Sequence, residues 1–90
     1  MIIKFTDHFR RQYKKTDVRI QKQLKQCLGI FAKNPNDPQL KNHPLKREYE
    51  GQRSIDITSD WRAIYREAGK VEDEEVIYFT SLGTHDQLYG

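Results

Sequence analysis

One cysteine in a chain of 90 residues excludes an internal disulfide framework and fits a reducing compartment. Cys27 is also a poor nucleophile. It falls among Ile20, Leu24, Leu28 and Phe31 at helical spacing, where a thiol serves as a small hydrophobe. No run approaches the roughly 20 apolar residues of a membrane span, and the N-terminus carries no cleavable leader pattern. The expectation is a soluble, cytoplasmic protein with no membrane partner. Gly-rich phosphate loops and Ser or Cys nucleophile motifs are missing. The three histidines and Cys27, at 8, 27, 43 and 85, match no zinc spacing, so neither a metal nor a cofactor is expected.

What is present is a globular composition: only 36% of residues are apolar, yet ten are aromatic and the apolar runs are ordered. A chain of this length supports one core, so residues 1–90 read as one domain. Charge is unevenly spread. Residues 1–53 carry 13 Lys and Arg against 5 Asp and Glu, a balance of +8, and residues 54–90 carry 3 against 8, a balance of −5. Such asymmetry fits a basic surface that meets a polyanion or an acidic protein, although cations also solvate ordinary helix faces.

The periodicity predicts an element order. "MIIKF" reads as a strand, and Thr6 with Asp7 as the start of a helix over about 7–14 that puts Phe9 and Tyr13 one turn apart. Thr16 and Asp17 offer a second cap. Behind it Ile20, Leu24, Cys27, Leu28 and Phe31 make the apolar face of a second helix, which "NPNDP" (34–38) ends. From there the period is two: "RSIDIT" (53–58) and "WRAIYRE" (61–67) alternate across a short turn, and "VIYFTSL" (76–82) is apolar enough for an interior strand. The fold class is α+β in the order β-α-α-β-β-β, with two N-terminal helices packed on one face of a mainly antiparallel sheet.

Chemistry concentrates in three stretches: "NHPLKREYEGQRS" (42–54), "SDWRAIY" (59–65) and the tail "GTHDQLYG" (83–90). Histidine changes charge near neutrality, so His43 and His85 are candidates for proton transfer beside cations and aromatics. That combination suits RNA. A base takes the ribose 2′-OH proton, the oxygen attacks the adjacent phosphate, cations hold the added charge, and an acid protonates the leaving 5′-oxygen. Trp61 and Tyr65 also suit plain core packing, and Asp60 a plain turn.

"HPL", "EGQRSIDITSDWRAIY" and "GTHDQLYG" together resemble the RelE/ParE superfamily of toxin–antitoxin toxins, in its YafQ-like branch. The resemblance implies a RelE-like fold and a ribosome-dependent endoribonuclease that cuts mRNA in the ribosomal A site. It also implies a cognate acidic antitoxin, through which alone the toxin meets operator DNA. Carried over by position, it assigns His85 as general acid, Asp60 or His43 as base or orienting group, and Trp61 and Tyr89 as substrate contacts. Lys46, Arg53 and Arg62 would contact phosphate. One position departs: where better-known members of the branch have a further histidine four residues before the Asp-Trp pair, this chain has Asp56. A carboxylate there acts as acceptor or base and repels phosphate. Asp56 therefore favours the alternative: a non-cleaving protein of the same fold, either a gyrase-type inhibitor or an inactive antitoxin-binding co-repressor.

Overall fold

The first strand, β1 (Ile2–Phe5), pairs in parallel with a strand from the far end of the chain. In the computed structural model, which describes residues 1–90, Ile3 lies opposite Ile77 and Phe5 opposite Phe79. Thr6 then starts α1 (Asp7–Lys14) by accepting the Phe9 N–H at 3.2 Å, with Asp7 at the positive end of the helix and Arg11 and Lys14 at the negative end. Asp17 caps α2 (Val18–Lys33) in the same way, through the Arg19 N–H at 2.7 Å. The helix stops at Asn34, since the residue before a proline is pushed out of helical geometry.

A 3-10 turn (Pro38–Leu40) leads to β2 (His43–Pro44), a second 3-10 turn (Arg47–Tyr49) to β3 (Gln52–Asp56), and then come β4 (Trp61–Val71), β5 (Glu74–Thr84) and α3 (His85–Tyr89). The sheet order is β1-β5-β4-β3-β2, antiparallel except between β1 and β5. The β-α-α-β-β-β reading holds, with additions. The two-residue β2, both 3-10 turns and α3 go beyond it, and β4 and β5 run further than their apolar letters. The extra length is a charged arm closed by Glu72 and Asp73, whose φ of 51° and 66° make the left-handed pair that a tight hairpin turn requires.

Both long helices face the same side. Phe9 from α1 and Leu24, Cys27 and Phe31 from α2 share one cluster with Ile55, Ile57, Ala63, Tyr65, Ile77, Phe79 and Leu82. Burial pushes the Cys27 thiol up from its ordinary pKa, which keeps it protonated and inert, as its place on the helix face implies.

The chain end covers the sheet beyond β5. Thr84 accepts the Gln87 N–H at 3.2 Å while its own N–H donates to Gln87 Oε1 at 2.9 Å, a reciprocal cap that starts α3. Leu88 is buried, and a Cβ at Gly83 would sit 3.1 Å from Gln87 Oε1, so glycine leaves that cap acceptor its room. Tyr49 clamps the same turn by donating its hydroxyl to the Leu88 carbonyl at 3.0 Å. The tail is therefore ordered. No helix is long and apolar enough to cross a membrane.

Candidate active-site cleft

A cleft of about 520 Å³ is lined by Lys41, His43 and Leu45 from the segment around β2, Asp56 and Arg62 from β3 and β4, and His85 and Tyr89 from α3. Antiparallel pairing makes this neighbourhood: His43 lies opposite Ser54, Asp56 opposite Arg62, and Trp61 opposite Thr84, the residue before His85. The His85 N–H extends the ladder by donating to the Asp60 carbonyl at 2.9 Å.

The His43 ring is oriented by its own loop. Its Nδ1 lies 2.9 Å from the Lys41 carbonyl, which can only accept. Nδ1 therefore carries a hydrogen, and in the neutral ring Nε2 holds the lone pair. Lys41 presents that carbonyl from a left-handed backbone, φ 48°, which disfavours a side chain by about 1–2 kcal/mol.

His85 stands in an aromatic row. Its ring meets Tyr89 edge-on with centroids 4.9 Å apart, and Tyr89 meets Tyr49 edge-on at 5.8 Å. Such contacts fix ring orientation and add about 0.5–1.5 kcal/mol each. Asp86 Oδ1 lies 3.6 Å from His85 Nδ1, but that carboxylate is almost fully in water, so the contact adds little.

Arg62 commits four of its five N–H donors to protein. Its Nε meets Asp56 Oδ1 at 3.0 Å, Nη1 donates to the carbonyls of Thr58 (2.9 Å) and Trp61 (3.0 Å), and Nη2 donates to that of Ser59 (3.1 Å). The guanidinium thus staples the turn at 58–61, whose Asp60 carbonyl holds His85. Asp56 neutralises the staple at the cleft floor. Asp56→Ala is expected to lower stability by about 2 kcal/mol, because the charged Nε–H of the largely buried Arg62 loses its acceptor. Asp56→Asn keeps an acceptor oxygen and should lose less than half of that in denaturant titrations. If Asp56 were the base, Asp56→Asn would also cut the cleavage rate by about 10².

The remaining expected site residues lie elsewhere. The Asp60 side chain is exposed and outside the cleft lining; its contribution is the backbone carbonyl on His85. Trp61 packs against the core. Arg53 points to the helix side of β3, where its Nε donates to Asn42 Oδ1 at 2.8 Å, and Asn42 in turn donates to the Tyr65 hydroxyl at 2.6 Å. That chain buttresses the approach to His43. Lys46 is exposed beside a second cleft. Lys41 and Leu45 were not singled out from the sequence, although Leu45 closes the "HPL" motif and Lys41 lies two residues before it.

A family model described as a bacterial toxin of type II toxin–antitoxin systems, YafQ, matches residues 1–90. No curated protein matches the sequence. Among solved structures, the YoeB/ParE toxin from Agrobacterium tumefaciens shares the fold, with TM-score 0.76 and 23% identity over 94% of this chain and 99% of that one. YafQ from E. coli strain BL21(DE3) matches with TM-score 0.70 and 25% identity over 98% and 97% of the two chains. The E. coli DinJ–YafQ complex matches with TM-score 0.63 and 29% identity, again over 98% and 97%. Because the family match runs through both helices, the whole sheet and the tail that carries His85, the chain belongs to the YafQ toxins of type II toxin–antitoxin systems.

Proposed function

We propose that this toxin is an endoribonuclease that cuts mRNA in the ribosomal A site by acid–base catalysis. The observation that carries the reading is the pair of imidazoles, His43 and His85, from segments far apart in sequence, on one cleft with the Lys41 cation. His43 Nε2 takes the 2′-OH proton, the 2′-oxygen bonds to phosphorus, and the P–O5′ bond breaks. His85 gives its proton to the departing 5′-oxygen. The products are a 2′,3′-cyclic phosphate and a 5′-hydroxyl. Lys41 balances charge on the phosphoryl oxygens, and Tyr89 supports a base through its ring. Two imidazoles handle both protons, so the scheme calls for no metal. His85 is 59% exposed, so water is excluded only when the message and ribosome close over it.

The partner in this reading is an antitoxin, as the E. coli DinJ–YafQ toxin–antitoxin complex supports, and the +8 balance of residues 1–53 calls for an acidic one. The apolar cleft between α1 and α2, about 300 Å³, carries Arg10 and Lys25 on its lining and suits an apolar segment flanked by carboxylates. Operator DNA would be met only through that partner.

Expression of the toxin alone should arrest translation, and primer extension should show discrete in-frame cuts. Soluble toxin with intact messages and supercoiling defects would instead identify a gyrase-type inhibitor. On programmed ribosomes the rate should be bell-shaped in pH, since one imidazole must be neutral and the other protonated. His43→Ala should flatten the acidic limb and His85→Ala the alkaline limb.

A further inference from the structure

Tyr89 belongs to two clefts. Beyond its ring from the first lies a second, about 380 Å³, whose lining includes Lys46, Arg47, Glu48 and Tyr49. Lys46 and Arg47 are exposed, and neither side chain makes an ion pair or hydrogen bond within the protein. Arg62, in contrast, has four of its five donors committed to Asp56 and to carbonyls.

The backbone gives a second, independent indication. Arg47 has φ 58°, a left-handed conformation in which glycine would be relaxed and a side chain is strained. This chain does use glycine for such geometry nearby, at Gly51 with φ 88°. At 47 it keeps a long cation with no intramolecular partner, and strain of this kind collects where function holds it.

We propose that the second cleft is a subsite for the phosphodiester adjacent to the one cut, in single-stranded RNA, with Arg47 and Lys46 on its phosphate and the Tyr89–Tyr49 row beside the intervening base. The inference rests on the proposed function for the identity of the strand. It explains how the first cleft works with Lys41 as its cation outside an ion pair, Arg62 being paired with Asp56: Arg47 and Lys46 supply further positive charge at the neighbouring phosphate. Glu48 on the same lining restricts anion binding to the Lys46–Arg47 side.

The test uses the full chain and an uncleavable 2′-O-methyl hexanucleotide, with a 2′-O-methyl dinucleotide, which has only one phosphodiester, as the short probe. Arg47→Gly should leave Tm unchanged or raise it by about 4 °C while weakening hexanucleotide binding about tenfold. The slope of log affinity against log salt should shrink by about 0.7, the share of one phosphate contact on a single strand. Dinucleotide binding should be unchanged, Arg47→Lys should keep most of the slope, and Lys33→Gln, an equal loss of charge outside both clefts, should keep affinity within about twofold. Undiminished hexanucleotide binding by Arg47→Gly, an equal loss for Lys33→Gln, an equal loss for the dinucleotide, or no hexanucleotide binding by the wild type overturns the subsite. The two readings fail separately. Hexanucleotide binding as described with messages left intact on ribosomes would remove the nuclease and keep the subsite, and cleavage with Arg47→Gly binding like wild type would do the reverse.

Discussion

His85→Ala is expected to lower cleavage on programmed ribosomes by about 10² or more, the usual worth of a positioned proton donor. The fold should survive, because the imidazole is mostly exposed and the bonds that seat α3 come from its neighbours. The backbone N–H of residue 85 still reaches the Asp60 carbonyl, Thr84 and Gln87 still cap each other, and Leu88 stays buried. An unchanged denaturation midpoint with a collapsed rate is the expected pair of results, and full activity would leave the mechanism without its acid. Tyr89→Phe should lose much less than Tyr89→Ala if the ring is what acts, and about as much if the hydroxyl is. Deleting residues 85–90 is a poorer test, since it also removes the buried Leu88 and the acceptor of Tyr49.

The largest loss of stability is expected for Phe79→Ala, about 3–5 kcal/mol. Phe79 is fully buried and its ring contacts four others: Phe5 at 6.0 Å, Phe9 at 5.9 Å, Phe31 at 5.3 Å and Tyr65 at 5.4 Å between centroids. Those rings come from β1, both long helices and β4, so one truncation opens a cavity where every layer meets. A domain of this size holds only about 5–15 kcal/mol in total, so thermal unfolding should move down by more than about 12 °C. Val71→Ala, on the exposed arm, should stay within about 0.5 kcal/mol. A shift for Phe79→Ala as small as that would refute the central place given to this ring.

Much of this was readable from letters, and the physical reason is the same each time. Where a residue's place is set by burial, as with Phe9, Leu24, Phe31, Ile55 and Phe79, apolar spacing records it. The helix caps at Thr6 and Asp17 were readable too, because a short polar side chain there answers a local backbone need. The charged arm of β4 and β5 was not, since backbone pairing carries it with little apolar content. Nor was α3: its five residues are too few for a period, and Thr84 with Gln87 was its only sign. In the cleft, His43, Asp56, Arg62, His85 and Tyr89 come together as the motif positions suggested. Lys41 and Arg47 escaped notice because nothing in a lysine or an arginine announces a left-handed backbone. Arg53 and Arg62 were read by charge alone, whereas Asn42 and the carbonyls of residues 58, 59 and 61 decide what those cations hold.

The parallel seam between β1 and β5 governs when the molecule can come into being. Its partners, Ile2 to Phe5 against Val76 to Phe79, are almost the whole chain apart. Contacts that distant in sequence are slow to form, because the loop between them must be closed before they give anything back. During synthesis the first strand therefore waits, its edge unpaired, until the last strand has been made, and His85 and Tyr89 follow that strand directly. A nascent chain that still lacks β5 has neither a closed sheet nor a complete cleft, so the cleft is assembled only after the last strand has been made and has left the ribosome.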